Sequence, residues 1–305
     1  LPGVKNSTQM LEEECVPDRL VIIGGGVIGM EFATVYNDLG CQVTVLEAMD
    51  KILPGMDKEI SQNLKMIMKK RGVDIHTGAM VSSVEKMGDG TYLCRYTEKE
   101  KKCEATAALI LSAVGRRPLS RGLFSEDMQE RIEMERGRVL VNERYETSVP
   151  GIYAIGDLIG GICLAHVAAA EGCQAASAMF PELKGKDMTV IPSCVYTDPE
   201  IACAGFTADE AKAAGIDTAT GKYIMSVNGK SVLSMQDRGF LKIVSEKETG
   251  RILGAQLMCA RATDMIGELE LAISKRLTAE DLAAVIMPHP TFCEGIGEAA
   301  ESILM

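Results

Sequence analysis

The sequence lacks the paired cysteine motifs that mark many metal and redox sites. Its ten cysteines include no C-x-x-C and no C-x₄-C pair, and only three histidines occur, namely His76, His166 and His289. No pair of cysteines combines with a pair of histidines at the spacing of a zinc site, so we expect no metal site. In a chain without a signal peptide, cysteines that form no paired motif indicate a reducing compartment. We therefore expect a cytoplasmic protein.

Basic residues and long apolar runs are also scarce. The chain has 32 lysines and arginines against 43 aspartates and glutamates, which gives a net charge of −11. This balance argues against binding to a nucleic-acid backbone. No apolar run approaches the roughly 18 residues of a membrane span, and the first residues do not resemble a signal peptide. We therefore expect neither a nucleic-acid nor a membrane partner.

What the sequence does contain is a glycine turn between a buried strand and a helix. An apolar strand is predicted over Leu20–Ile23, and Gly24, Gly26 and Gly29 follow in the order G-x-G-x-x-G. Gly24 permits the tight turn, Gly26 lets a pyrophosphate approach the backbone, and Gly29 lets the helix pack closely on the strand. The free N–H groups and the dipole of the helix amino terminus favour phosphate binding. The stretch predicts a dinucleotide site.

Glu47 ends the second strand of this unit, at the position where an acidic side chain can accept hydrogen bonds from a ribose diol. A carboxylate there would repel a 2′-phosphate, so the predicted cofactor is NAD rather than NADP. The alternative is that the glycines serve only a tight turn. The strand, the helix and the acidic residue all lie at the expected spacing, which favours the dinucleotide site.

The pattern continues this unit and adds an antiparallel part. A helix is predicted after an N-cap at Asp57, and a short strand follows at Val73–His76. Residues 81–96 alternate around a Gly-Asp-Gly turn and predict a hairpin. An apolar run at Ala107–Val114 predicts another buried strand.

The second half of the chain has a different pattern of predicted elements. Two strand-like runs are predicted within residues 139–157, separated by a Pro-Gly turn, and Asp157 is expected to end the second run. Leu164–Met179 predicts an alanine-rich helix, and further strands are predicted at Phe240–Ser245 and Ile252–Cys259. A chain of 305 residues with this pattern predicts an α/β protein of two or three domains.

Seven phrases together resemble the flavin-dependent pyridine nucleotide–disulfide oxidoreductases. They occur in the family's order: GGGVIGMEFA, VGRRP, TSVPGIYAIGD, LAHVAAAEG, PSCVYTDPEIACAGFT, RILGAQLM and PHPTFCE. The resemblance implies an α/β fold with a Rossmann-like NAD-binding domain at 1–116, the C-terminal half of an FAD-binding region at 117–186, and an α+β dimerisation domain at 187–305. It implies NAD and FAD as cofactors.

In this family a first FAD fingerprint and a redox-active C-x₄-C pair precede the region that the chain resembles. Neither occurs here, so we expect the chain to be the C-terminal portion of a longer enzyme, inactive on its own. The resemblance is strongest to members that oxidise protein-bound dihydrolipoamide with NAD⁺. It implies a homodimer that serves the lipoyl domain or lipoyl carrier protein of a 2-oxo acid dehydrogenase or glycine cleavage complex. The alternatives are another flavoprotein disulfide reductase, a transhydrogenase, an NADH oxidase, or a non-catalytic NAD-binding dimerisation module.

By this resemblance His289 takes the proton from a dithiol, and Glu294 orients its ring and stabilises the imidazolium. Prolines on both sides of His289 bias it away from helical geometry. Two alternatives stay open. Thr291-x-x-Glu294 is also a capping box, and a histidine between prolines also fits a surface turn. Met287 departs from the family, because relatives that use lipoamide commonly carry another histidine there.

The resemblance also assigns residues to the two cofactors. Asp157 matches a residue that hydrogen-bonds the ribityl–phosphate region of the flavin, with an N-cap or turn aspartate as the alternative. The segment of Cys163, Leu164, Ala165 and His166 matches backbone beside the flavin ring, although the His166 side chain could simply pack.

Three further residues match the NAD cleft. Glu31 matches a residue near the nicotinamide that pairs with a lysine beside the redox cysteines, and Val81 and Gly115 match positions that line the cleft. The alternatives are an ordinary first-turn glutamate for Glu31 and plain strand and turn residues for the other two.

Overall fold

A computed structural model describes residues 3–305, which divide into two compact units. The first unit comprises the chain up to Gly115 together with Pro192–Met305, and the second comprises Arg116–Ile191. The three-domain division expected from the sequence stays a prediction. Among the described residues, no helix combines the length and the apolarity needed to cross a membrane.

The first part of unit one is a parallel sheet with helices and a small antiparallel sheet. Its elements are β1 (Val4–Lys5), α1 (Ser7–Leu11), β2 (Arg19–Ile23), α2 (Val27–Asp38), β3 (Gln42–Glu47), α3 (Lys58–Lys70), β4 (Asp74–Thr77), β5 (Ala79–Lys86), β6 (Tyr92–Glu98), β7 (Lys101–Ala107) and β8 (Leu109–Ser112). The parallel sheet has the order β1-β8-β2-β3-β4. Strands β2, β3 and β4 with their helices form the predicted βαβαβ unit.

After the exposed Arg19, strand β2 is apolar because both faces of the parallel sheet are covered. Leu20 and Ile22 lie in the core cluster that contains residues of α2 and α3. Val21 lies in a second cluster, with Ile110 of β8 and residues of the antiparallel sheet β5-β6-β7. The predicted hairpin is thus part of a three-stranded sheet. Its third strand, Lys101–Ala107, was missed because lysines and small residues carry no strong apolar alternation.

Unit two contains little regular structure. Its elements are α4 (Glu126–Arg131), β9 (Met134–Glu135), β10 (Arg138–Val139), one 3₁₀ turn (Gly156–Leu158) and α5 (Ala165–Met179). A small core of Ile132, Val139, Val149 and Ala154 holds these elements together.

The two strands predicted within residues 139–157 are wrong. The chain there turns twice and makes only isolated bridges, such as Val141 with Thr147. The physical reason is that the backbone groups are satisfied locally: Asn142 Oδ1 accepts from Arg144 N–H at 2.9 Å and from Glu146 N–H at 3.1 Å. Asp157 accordingly lies in the 3₁₀ turn and not at the end of a strand.

The last part of unit one is an antiparallel sheet with helices. Its elements are β11 (Ser193–Val195), β12 (Ile201–Gly205), α6 (Ala208–Ala213), β13 (Thr218–Ile224), a 3₁₀ turn (Met225–Val227), α7 (Gly229–Leu233), β14 (Phe240–Glu246), β15 (Ile252–Met258), α8 (Ala262–Ser274), α9 (Ala279–Ala283) and α10 (Glu294–Leu304). The strand order is β11-β12-β15-β14-β13.

Helix α10 packs on β13 and β14 through small residues. A Cβ at Gly221 would clash with the Ala299 carbonyl, and a Cβ at Gly295 would lie 2.8 Å from Leu241 Cδ1. These glycines therefore allow a close approach of helix and sheet. The contact positions the backbone at the start of α10, where Glu294 is the first residue.

Candidate functional site

The glycine turn has the geometry that its sequence predicts. Gly24 has a positive φ of 106°, and a Cβ there would lie 2.5 Å from the Ala113 carbonyl oxygen. A Cβ at Gly29 would collide with the Gly24 carbonyl oxygen, so glycine is required where α2 crosses β2. Both residues serve close packing of the turn.

Gly26 is different, because no atom lies within 4 Å of a Cβ built on it. It is the N-cap of α2 and gives no side-chain cap, so the first N–H groups of the helix have no side-chain acceptor from this residue. The space in front of the turn is a cleft of about 530 Å³. An open backbone at a helix amino terminus fits the pyrophosphate of a dinucleotide.

The cleft brings together most of the residues predicted for it. Gly24, Gly26, Glu47, Val81 and Gly115 all line it. They come from the carboxyl ends of parallel strands and from the start of β5, the edge at which ligands bind in open α/β sheets.

Glu47 is buried and has a second role that the sequence did not indicate. Its Oε2 accepts from Gly25 N–H at 2.5 Å, and its Oε1 accepts from Met49 N–H at 2.7 Å. The carboxylate therefore ties the glycine turn to the loop that follows β3. Each oxygen retains a lone pair, so a ribose diol can still donate to it.

Glu31 does not line the cleft. Its Oε1 accepts from Tyr196 N–H at 2.9 Å, directly after β11. Burial raises the pKa of Glu31, and the Tyr196 N–H opposes that rise. In this structure Glu31 links α2 to the antiparallel sheet, and its expected place near a nicotinamide stays a prediction.

His289 and Glu294 form the pair that the sequence suggested. His289 Nδ1 lies 2.7 Å from Glu294 Oε1, and the ring is exposed, with 76% of its side-chain surface accessible. A carboxylate that accepts from Nδ1–H leaves Nε2 as the basic nitrogen, facing solvent. The arrangement suits a base that takes a proton from an incoming group.

Only one of the two hydrogen bonds of the alternative capping box is present. Glu294 Oε2 accepts from Thr291 N–H at 2.7 Å, but the Thr291 hydroxyl donates to the Pro288 carbonyl instead of capping α10. The Thr291 N–H and then the His289 imidazole lower the pKa of Glu294. One carboxylate thus holds both the loop and the imidazole ring, one oxygen for each.

Unit two holds the residues assigned to the flavin. Asp157 forms an ion pair with Arg116, with the charged atoms 3.1 Å apart. The segment Cys163–His166 leads into α5, whose N-cap Leu164 gives no side-chain hydrogen bond. A long helix with an uncapped amino terminus suits a negatively charged group, so the residues fit part of a flavin dinucleotide site.

Glu171, which no sequence motif singled out, organises this region. It is buried, and its Oε2 accepts from Gly156 N–H at 2.6 Å. The bond ties the turn that bears Asp157 to α5. The only sequence signal for this role is that Glu171 is a charged residue within an alanine-rich helix.

These features define a class: an α/β protein with a dinucleotide cleft and an exposed histidine–carboxylate pair. Residues 4–172 match the family described as pyridine nucleotide-disulphide oxidoreductase, and residues 191–300 match its dimerisation domain. The chain belongs to this family. The family and the fold class expected from the sequence are thereby confirmed.

Curated relatives match the chain over nearly all of its length. The chain is 43% identical to dihydrolipoyl dehydrogenase of Bacillus subtilis strain 168 over 98% of its own length and 63% of the relative. It is 40% identical to dihydrolipoyl dehydrogenase of Geobacillus stearothermophilus over 100% of its own length and 66% of the relative. The chain therefore spans a little less than two thirds of these relatives.

Solved structures share the fold. The HOCl-induced flavoprotein disulfide reductase RclA from Escherichia coli superposes with a TM-score of 0.90 at 27% sequence identity. The match covers 98% of this chain and 68% of that one.

Proposed function

We propose that the complete protein acts as a dihydrolipoyl dehydrogenase, which oxidises protein-bound dihydrolipoamide with NAD⁺. The observation that carries the proposal is the His289–Glu294 pair at 2.7 Å, in a chain 43% identical to an enzyme of that name. The redox-active disulfide would lie in a segment of the complete protein that corresponds to the part of the relatives that this chain does not span.

His289 would act on the dithiol substrate. Thiols attack disulfides as thiolates, so a base must first remove a proton from the sulfur. The Nε2 atom faces solvent and can take that proton, while Glu294 holds Nδ1–H and stabilises the imidazolium that results.

The cleft in unit one would hold NAD. The uncapped start of α2 at Gly26 would face the pyrophosphate, and Glu47 would accept from the adenosine ribose. Its negative charge disfavours a 2′-phosphate, which supports NAD over NADP. Val81 and Gly115 would form the walls.

Unit two would hold part of FAD, which supplies the electron transfer between the thiols and the nicotinamide when bound. Asp157 would accept from the ribityl hydroxyls. The start of α5, with Cys163, Leu164, Ala165 and His166, would place positive helix-dipole charge beside the ring.

The match to a dimerisation domain supports a homodimer. Large exposed apolar side chains in that part of the chain also support it, because such surface is usually covered. They include Val227, Leu233, Met235 and Ile286. The partner would be a lipoyl domain or lipoyl carrier protein. All ten cysteines are unpaired in the described structure, which supports a cytoplasmic location.

A second candidate, a flavoprotein disulfide reductase for another dithiol, has one specific observation in its favour. Met287 occupies the place where lipoamide-using relatives commonly carry a histidine. The fold of RclA is consistent with this alternative.

The test is NAD⁺ reduction by the full-length protein with dihydrolipoamide as the substrate. His289→Gln in that protein should abolish most dithiol oxidation, because the base is lost, and leave NADH-driven flavin reduction intact. Equal loss of both half-reactions contradicts the role of His289. Turnover with another dithiol but none with dihydrolipoamide selects the second candidate.

A further inference from the structure

Asn228 is a fully buried amide beside the His289–Glu294 pair, between the 3₁₀ turn Met225–Val227 and α7. Its Oδ1 accepts from the N–H and from the hydroxyl of Ser231, each at 2.9 Å. Its Nδ2 donates to the Thr291 carbonyl at 3.0 Å. The Ser231 N–H can only donate, so the amide orientation is fixed and Nδ2 must face Thr291.

Thr291 connects this amide to the base. Its carbonyl is held by Asn228, and its N–H donates to Glu294 Oε2 at 2.7 Å. The other carboxylate oxygen of Glu294 binds His289 Nδ1. A continuous chain of hydrogen bonds therefore runs from the buried amide to the imidazole.

The loop needs such an anchor. Residues 284–293 between α9 and α10 form no helix or strand, and His289 itself is exposed. Within the described residues, the other hydrogen bonds of segment 286–293 stay between Pro288 and Ile296. Asn228 thus supplies the hydrogen bond that ties this segment to the body of unit one.

Packing alone does not fix the ring. A Cβ on Gly229 would lie 3.8 Å from His289 Cε1, an ordinary van der Waals distance, so the start of α7 borders one side of the imidazole. The remaining exposure leaves the ring free to turn unless Glu294 holds Nδ1. The position of Glu294 Oε2 in turn depends on Thr291.

We infer that Asn228 is a positioning residue for the His289 base: by fixing Thr291 it orients Glu294, which keeps the proton on Nδ1 and leaves Nε2 basic. The inference deepens the proposed function and relies on it for the catalytic meaning of His289. The tautomer of His289 can be measured without any reaction.

Asn228→Ser separates this role from a structural one. Serine is a good N-cap and can replace the amide oxygen at the start of α7, but it is too short to reach Thr291. Asn228→Asp keeps the acceptor for Ser231 and turns the donor into an oxygen that repels the Thr291 carbonyl. Thr207→Ala, which removes the N-cap of α6, is the matched control because its cap lies outside this chain of bonds.

The measurement is the pair of ring-nitrogen chemical shifts of His289 by ¹⁵N NMR on this chain at alkaline pH. Only three histidines are present, and His289→Gln assigns the resonance. The unmodified chain and Thr207→Ala should show the Nδ1–H tautomer in excess. In Asn228→Ser and Asn228→Asp the Nδ1–H bond to Glu294 should be lost, so the excess should fall roughly fivefold, the usual net contribution of one hydrogen bond.

An unchanged tautomer ratio in either folded Asn228 variant overturns the inference, as does a mixed tautomer in the unmodified chain. Thermal unfolding of each variant shows that it is folded. Failure of the full-length protein to oxidise dihydrolipoamide would remove the proposed function and leave this result standing, so the two failures are distinguishable.

Discussion

Lys242 and Asp57 form a buried ion pair that joins two parts of unit one. Lys242 Nζ lies 2.8 Å from Asp57 Oδ2, and both side chains are about nine-tenths buried. Asp57 caps α3 of the nucleotide-binding part, whereas Lys242 belongs to β14 of the antiparallel sheet. Lys242 also lies 3.1 Å from Glu59. The ion pair connects the part that bears the cleft to the sheet on which α10, with Glu294 at its start, packs.

Replacing Lys242 by Met should destabilise the chain by about 3 kcal/mol, because Asp57 is left as a buried charge without its partner. The double variant Lys242→Met with Asp57→Asn should recover much of that loss. Chemical denaturation measures both. Lys247→Met, which removes an exposed contact with Asp217 at 3.6 Å, is the control and should cost less than about 1 kcal/mol. Equal costs for the two lysines would contradict the importance of burial.

Alanine substitution should affect NADH binding at Gly26 but stability at Gly29. Gly26→Ala should leave the free energy of unfolding within about 0.5 kcal/mol, since its Cβ meets no atom and its φ of −74° suits alanine. NADH affinity should fall at least about tenfold, because the methyl group occupies the path of the pyrophosphate. Calorimetric titration and denaturation measure the two quantities.

Gly29→Ala provides the contrast. Its Cβ would collide with the Gly24 carbonyl, so it should lower stability by about 1–3 kcal/mol. A Gly26→Ala variant that unfolds as readily as Gly29→Ala, or that binds NADH normally, would contradict the assignment of the cleft.

His76 should make stability depend on pH. Its Nδ1 lies 2.8 Å from Glu98 and its Nε2 lies 2.9 Å from Asp74. Burial opposes protonation, but the hydrogen bonds with Asp74 and Glu98 outweigh it and raise the pKa of His76 above 6.5. Since the folded state binds the proton more tightly, this contribution is complete below the unfolded pKa and is lost as pH rises through the folded one.

His76→Gln should therefore flatten the fall in stability above pH 6.5, where the unmodified chain loses this contribution. Denaturation midpoints across that range measure it. Glu98→Gln removes one partner and should weaken the dependence in the same direction. If the free energy of unfolding of the unmodified chain instead rose above pH 6.5 relative to His76→Gln, the ion pairs of His76 with Asp74 and Glu98 would be excluded.

Glu294→Gln in the full-length protein should lower dithiol oxidation by about 10²-fold, because an amide cannot stabilise the imidazolium. The glutamine oxygen can still accept from Thr291 N–H, so the loop should keep its position. Rapid-mixing measurement of the dithiol half-reaction checks this. A variant with unchanged rates would remove Glu294 from the site.

The local part of the candidate site could be predicted from the sequence. The strand, the glycine turn and α2 lie where the periodicity and the glycines place them, and the cleft contains Gly24, Gly26 and Glu47 together. The strand predictions failed within residues 139–157, where two short apolar runs resemble strands but Asn142 and local turns satisfy the backbone. Strand propensity failed to predict the structure there because local side-chain-to-backbone hydrogen bonds replace those of a sheet.

By itself the sequence determined the elements, the spacing of the glycines and the acidic residue, and the closeness of His289 to Glu294, since these depend on residues a few positions apart or on regular periodicity. Only the tertiary structure decided which distant groups complete them. Asn228 meets Thr291 across 63 positions, and Lys242 meets Asp57 across 185. No local pattern encodes such pairs, because they arise from how β13, β14, α3 and α10 pack, and that packing is fixed by the whole buried core.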